Sequence, residues 1–338
     1  MRAVGYKSPL PIENPESLVD IDLPRPKPAG RDLLVQVKAV SVNPVDTKVR
    51  KSVRPEGTEW KVLGWDAAGI VVETGPETTL FKPGDEVFYA GALTRPGSNA
   101  EYQLVDERIV GAKPKLLGWS EAAALPLTAI TAWETLFDRL DVKGRQVPGS
   151  AKAILIIGGA GGVASITIQL ARQLTELTVI ATASRPETRA WVADLGAHHV
   201  VDHSRPLAQQ VAALGVGAPA FVFSTTNTDK HLSEIVELIA PQGRFAVIDD
   251  PPTLDVNAFK RKSVSVHWEL MFTRSLYETP DIGEQGRLLG EVSRLVDEGT
   301  IRTTLGENFG VINAANLKRA HALIESGKAR GKITLEGF

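Results

Sequence analysis

The sequence predicts an α/β protein with two domains, one a doubly wound parallel sheet and the other β-rich. Three observations carry this prediction. From Ala153 onward short apolar strands alternate with helix-patterned stretches, as in a parallel sheet covered by helices on both faces. Within that region the run AILIIGGAGGVAS places four glycines in five positions between a strand and a helix. The first third differs: its β-branched segments are separated by turn clusters such as KPAGRD and FKPGDE, the texture of an irregular β domain. At 338 residues the chain exceeds what a single core usually serves, so two domains are expected.

The elements follow in order. LLVQVKAVSV (33–42), Gly69–Glu73, EVFYAG and AEYQLVDE are predicted strands. At Ser120 the texture changes to SEAAALPLTAITAWETLFDRL, a predicted helix with Ser120 as its cap and the expected crossing between domains. Strands AILII, TVIATA, HHVVD, AFVFST, RFAVID and SVSVHW then alternate with helices VASITIQLARQL, PETRAWVADLG, LAQQVAALG and HLSEIVELIA. After Met271 the stretch IGEQGRLLGEVSRLVDEG predicts a helix, IRTTL follows, and KITLEGF predicts a last strand that returns to the first domain. The expected division is 1–125 with 272–338 against 126–271.

Composition excludes several classes. Lys plus Arg number 38 against 40 Asp plus Glu, which leaves no basic field for nucleic acid. The apolar run from Ala153 to Ile168 has 16 residues, short of the roughly 20 needed to span a bilayer. The N-terminus MRAVGYKSPLPIENPESL lacks the features of a secretory signal, so no membrane partner and a cytoplasmic location are expected. With no Cys there is no disulfide, thiolate nucleophile or Cys-ligated zinc; His198, His199 and His203 fall in the alternating region, and His231, His267 and His321 show no ligand spacing.

Gly159-Ala160-Gly161-Gly162-Val163-Ala164 fits GxGxxG/A directly after a strand and before a helix. In that context the motif is a dinucleotide-binding fingerprint: glycines allow a tight turn and close approach to a pyrophosphate, which helix N–H groups receive. The competing reading is a packing turn. The next strand ends at Ser184-Arg185-Pro186-Glu187, where a site for NAD places an acidic residue on the ribose. Ser184, Arg185 and Arg189 suit a 2′-phosphate instead, so NADPH is the expected cofactor; solvated arginines are the alternative. Ser224, Thr225 and Ile248, at the ends of later strands, are expected on the cofactor edge of the sheet.

Further segments carry a family resemblance: NPVDTKVR (43–50), LGWDAAGIV (63–71), KPGDEVFYAG (82–91), AEYQLVDE (100–107), AAALPLTAITAWETL (122–136) and GGAGGVAS. In their order and spacing the chain resembles the medium-chain dehydrogenase/reductase superfamily, in particular its zinc-free quinone oxidoreductase branch. Together with HWELMFTRS (267–275) they are similar to a bacterial subgroup often labelled zinc-type alcohol dehydrogenase-like. The resemblance implies a Rossmann domain, a GroES-like catalytic domain, and a homodimer formed through the SVSVHW strand. Zinc-dependent relatives place Cys where Asn43 stands, His-Glu at Trp65-Asp66, and Cys near Leu127. No metal is therefore expected. Around the nicotinamide the resemblance implies Asn43 as a donor to the substrate carbonyl, Asp46 as its support, Trp65 filling the metal's space, and Thr131 on the nicotinamide amide. Lys48 stands where relatives often have Tyr, and would face developing oxyanion charge; Tyr89 is a weaker candidate.

Alcohol oxidation needs a metal or a tuned base to remove a poorly acidic proton. Reduction of a quinone or an α,β-unsaturated carbonyl does not, because the acceptor delocalises the charge it gains. The expected activity is NADPH-dependent reduction of such acceptors. Two alternatives remain: an enoyl-thioester reductase, and a non-catalytic NADPH-binding redox sensor or structural protein.

Overall fold

The computed structural model describes residues 1–57 and 59–338. The chain opens with β1 (Arg2–Tyr6), β2 (Val19–Asp22), β3 (Asp32–Val42), α1 (Pro44–Ser52), β4 (Lys61–Val62), β5 (Asp66–Thr74), β6 (Glu86–Tyr89), β7 (Tyr102–Asp106) and β8 (Val110–Ala112). Helices α2 (Trp119–Ala123) and α3 (Pro126–Trp133) follow. The alternating region is β9 (Ala151–Ile157), α4 (Gly162–Leu174), β10 (Thr178–Thr182), α5 (Pro186–Asp194), β11 (His199–Val201), α6 (Leu207–Ala213), β12 (Pro219–Ser224), α7 (Thr228–Leu238), β13 (Arg244–Val247) and β14 (Ser265–Trp268). The tail holds α8 (Thr273–Leu276), α9 (Glu284–Asp297), β15 (Leu305–Asn308), α10 (Ala314–Glu325) and β16 (Lys332–Glu336).

Two units result, residues 1–130 with 272–338, and residues 131–271. The expected crossing at 125/126 moves to 130/131, inside α3. Unit 2 is a parallel sheet of order β11-β10-β9-β12-β13-β14. Numbered within the unit this is 3-2-1-4-5-6, the Rossmann order, whose switch point lies between its first and fourth strands. β12 is buried at every position and β9 at its last five, as expected of central parallel strands covered on both faces. Unit 1 carries, among the described residues, a sheet β15-β16-β3-β5-β6-β8 with β7 also on β3, and a smaller sheet β2-β1-β4. The tail returns as the sequence predicts: β16 pairs antiparallel with β3, Ile333 opposite Val42.

Some local readings change. The predicted helix at Ser120 is two helices, α2 and α3, separated before Pro126 because proline cannot continue the hydrogen-bond ladder. Ser120 is not the cap. The cap is Gly118, two residues earlier, whose N–H donates to Glu121 Oε2 at 2.9 Å, while Ser120 Oγ donates to Glu336 and accepts from Asn308. NPVDTKVR, to which no element was assigned from sequence, opens the helix α1 with Asn43 as its cap. Pro44 sits at its first position, where the missing N–H costs nothing. At its other end the Tyr6 hydroxyl, within reach of the Val49 and Val53 carbonyls at 3.1 and 2.8 Å, supplies a donor to the chain leaving the last turn. Arg50 is fully buried and bonds Glu325 and the Leu10 carbonyl, which ties α1 to α10. His321 lies against it, and burial, aided by Arg50, pushes its pKa down to about 3.

Candidate functional site

The residues named from sequence fall into two groups, one in each unit. In unit 1, β3 ends at Val42 and Asn43 opens α1. Asp46 reaches back to accept the Asn43 N–H at 2.7 Å, half of a capping box. The Asn43 side chain does not complete the box. Its Nδ2 donates to Asp66 Oδ2 at 2.8 Å and to the Ser41 carbonyl at 3.2 Å, and its Oδ1 accepts from Lys332 Nζ. Asp66, the first residue of β5, also takes the Lys332 ammonium at 3.0 Å and the Leu127 N–H at 2.7 Å. Both amide hydrogens of Asn43 are thus committed within the protein, so the expected donation to a substrate carbonyl would require one of these bonds to break.

Asp46 is buried, and loss of hydration pushes its pKa up to about 7, against the opposing backbone N–H donors of Asn43 and Gly64 and the charge of Lys332. Its one side-chain contact to the expected partner is the Asn43 N–H. Trp65 is a core residue: its indole N–H donates to the Ala92 carbonyl at 3.1 Å and its ring meets Phe272 edge-on at 6.0 Å. Lys48 is exposed on α1. Tyr89 is fully buried, with burial raising its pKa, and its hydroxyl has no protein partner among the described residues.

The second group surrounds the end of β9 in unit 2. The residue with left-handed backbone is Gly158, at φ +81°, rather than Gly159 or Gly161. A Cβ there would lie 2.5 Å from Thr225 Oγ1, so the turn requires glycine. Gly159 packs on β10, where a Cβ would fall 2.9 Å from the Thr182 carbonyl. Gly161 precedes α4 with no side chain to cap it, so no side chain competes for the first-turn N–H groups of Gly162, Val163 and Ala164 that an anion would use. Ala160 lies in the turn between.

The neighbouring strand ends brace this turn. Thr182 Oγ1 accepts the Gly158 N–H at 3.0 Å and lies 3.2 Å from His203 Nδ1. Thr225 Oγ1 donates to the Ile157 carbonyl, Ser224 Oγ pairs with Thr228 Oγ1, and Ile248 N–H donates to the Ser224 carbonyl. Ser224 and Thr225 therefore hold the turn's walls. Arg185 caps the start of α5 with its guanidinium 3.2 Å from Glu187 and 41 % exposed. Arg189 spends two nitrogens on the Ala183 and Val200 carbonyls. Thr131 is buried at the start of unit 2.

Sequence reasoning missed three residues. Lys332 lies 289 positions from Asn43; the only hint was a lysine opening an apolar strand. His203 was given no role, and only the sheet brings it to Thr182. Glu269, in HWELMFTRS, is buried beside Glu134 and Arg139, and burial followed by the Glu134 charge pushes its pKa up to about 8.

Comparison with known proteins agrees with this architecture. Residues 29–126 match the alcohol dehydrogenase GroES-like domain family, and residues 195–335 the zinc-binding dehydrogenase family. A zinc-type alcohol dehydrogenase-like protein of Staphylococcus aureus (strain MSSA476) is 39 % identical over 336 residues, covering 99 % of both chains. The chain belongs to the medium-chain dehydrogenase/reductase superfamily. A crystal structure from Rhizobium etli CFN 42, provisionally described as a zinc-dependent alcohol dehydrogenase protein, is 69 % identical with a TM-score of 0.98, covering 100 % of this chain and 98 % of the other. The quinone oxidoreductase of Coxiella burnetii is 25 % identical with a TM-score of 0.80, covering 100 % and 99 %.

For this member of the superfamily the word zinc needs testing against the side chains. Asn43 Oδ1 and Asp66 Oδ2 face an ammonium, Asp66 Oδ1 holds a backbone N–H, and Trp65 and Leu127 offer no ligand atom. Among the described residues no group of three or more His, Cys, Asp or Glu is arranged to hold a metal. The residues do not fit a zinc ion. They do fit a dinucleotide, since the glycine turn sits at the switch point with a helix N-terminus behind it.

Proposed function

We propose that this protein is an NADPH-dependent, zinc-independent oxidoreductase that reduces quinones or α,β-unsaturated carbonyl compounds. The observation that carries the reading is the Asn43–Asp66–Lys332 cluster. At the metal-ligand positions of zinc-dependent relatives it holds a closed set of hydrogen bonds and one neutralised carboxylate, with no Lewis acid to ionise an alcohol. A conjugated acceptor has no need of one, because it spreads the negative charge it receives. The Coxiella burnetii relative is described as a quinone oxidoreductase.

Bound NADPH supplies the hydride. The chain's own residues bind and orient it. The 158–162 turn and the first N–H groups of α4 receive the pyrophosphate, while Ser184 and Arg185 read the 2′-phosphate. Arg189 braces the turn between them through Ala183 and Val200. Thr131 holds the nicotinamide amide, and Ser224, Thr225 and Ile248 shape the sheet edge.

Arg185→Ala should weaken NADPH binding by roughly tenfold to a hundredfold, the value of one charge-assisted hydrogen bond, and leave NADH binding unchanged. Fluorescence titration checks this, and equal losses for both cofactors would show that Arg185 supports the turn instead. The reading as a whole is tested by product analysis with 4-deuterated NADPH and a small panel of quinones and enones. The expected result is saturated ketone with deuterium at the β-carbon, or hydroquinone, from protein that elemental analysis finds without stoichiometric zinc. Efficient oxidation of simple alcohols with no turnover of quinones or enones would overturn it.

A further inference from the structure

Lys332 is among the most deeply buried charges in unit 1, and each of its hydrogens has a defined acceptor. Its Nζ donates to the Val42 carbonyl at 3.2 Å, to Asp66 Oδ2 at 3.0 Å and to Asn43 Oδ1. The Lys332 side chain is 3 % exposed and that of Asp66 0 %. Taking an ammonium and a carboxylate out of water costs several kcal/mol per ion, a cost offset only when geometry and additional hydrogen bonds are good. Here they are: three oxygens from the end of β3, the cap of α1 and the start of β5 converge on one nitrogen. Asp66 passes the constraint on, since its second oxygen holds the Leu127 N–H in the first turn of α3.

We propose that Lys332 is the positioning residue of the unit 1 site: its ammonium gathers Val42, Asn43 and Asp66 at one point, as a bound metal ion would, and so fixes the start of α1 and the start of α3. The positive charge, not the bulk of the side chain, is the working part. Asp46, the second buried carboxylate, feels both Lys332 and Asp66. Without the ammonium two carboxylates would share the interior with no cation between them. An isosteric apolar side chain would fill the space and leave that imbalance.

A double-mutant cycle in the full chain separates charge from packing. Lys332→Met should raise the unfolding equilibrium constant roughly a hundredfold or more, because it strands a buried charge. Lys332→Met combined with Asp66→Asn should return it to within about tenfold of the wild type, since the carboxylate that directly faced the ammonium is gone and Asp46 keeps the Asn43 N–H. If the second substitution brings no recovery, including the case in which neither protein folds, the charge role is overturned. The positioning role rests on the reductase reading and has its own readout. In the recovered double variant NADPH should bind with unchanged affinity by fluorescence, while kcat/KM for a quinone falls at least tenfold through kcat; an unchanged kcat would overturn positioning. A wild-type protein that binds NADPH but reduces no acceptor would defeat the reductase reading, and the folding cycle would still decide the charge role.

Discussion

Gly158→Val should reduce NADPH affinity by about a hundredfold or more, equivalent to some 2.7 kcal/mol, in a protein that still folds. Valine suffers there twice. The backbone is left-handed at φ +81°, which costs a side chain with a Cβ about 1–2 kcal/mol. The Cβ would also lie 2.5 Å from Thr225 Oγ1 and 2.9 Å from Thr226 Cγ2. Both contacts are at the end of β12, across the switch point, so relief comes only by moving the turn away from β12. That displaces the Gly158 N–H from Thr182 Oγ1 and the Gly161 N–H from the Gly158 carbonyl, bonds of 3.0 and 2.9 Å that set the entry to α4. The core around β9, including Leu155, Ile157, Val222 and Phe245, is untouched, so cooperative unfolding should persist with a modest fall in Tm. Fluorescence titration beside a thermal melt checks both halves. An affinity within about threefold of the wild type, with the melt little changed, would mean that the turn does not carry the pyrophosphate.

The second large effect is on stability against pH. Asp46 has a pKa of about 7 in the folded protein against 3.8 for the free group, chiefly from burial. Between these values the folded state binds more protons than the unfolded, so stability falls as pH rises from 3.8 to 7. The loss is about 4 kcal/mol once pH exceeds 7. Glu269, pushed up to about 8, acts in the same direction, whereas His321, pushed down to about 3, adds stability as pH rises towards 6.5. The wild-type profile therefore mixes opposing slopes, and a variant isolates one of them. Relative to the wild type, Asp46→Asn should gain about 4 kcal/mol between pH 4 and pH 8, whatever its loss at pH 4 from the altered cap. Urea unfolding across that range measures the difference. Parallel profiles would show that Asp46 titrates as an ordinary carboxyl.

Much of the architecture was legible because it rests on local patterns. Apolar runs such as AILII and AFVFST, broken by helix-period segments, specify buried parallel strands through periodicity and length alone. GGAGGVAS specifies its turn because only glycine accepts the backbone and the close approaches. The sequence also determined which chemistry is absent, since a chain without cysteine cannot build a thiolate site.

Helix ends were less legible, as Ser120 demonstrates. A short polar residue near a helix start has several partners to choose from, and tertiary contacts decide among them; Glu336 and Asn308 claimed Ser120. The same holds for side-chain roles. The resemblance makes Asn43 a donor to substrate, but Asp66 and Ser41 take both of its amide hydrogens and Lys332 donates to its oxygen. Arg189 reads as a phosphate ligand, but the Ala183 and Val200 carbonyls hold it.

What the sequence by itself determined about this protein is the fold class and the glycine turn between β9 and α4, because each depends on residue type at short spacing. Only the tertiary structure decided that Gly158 is the strained glycine of the turn, that His203 reaches Thr182, and that Lys332 supplies the buried positive charge beside Asp66. Those facts depend on which strands become neighbours, and strand pairing joins positions such as 43 and 332 that no local pattern connects.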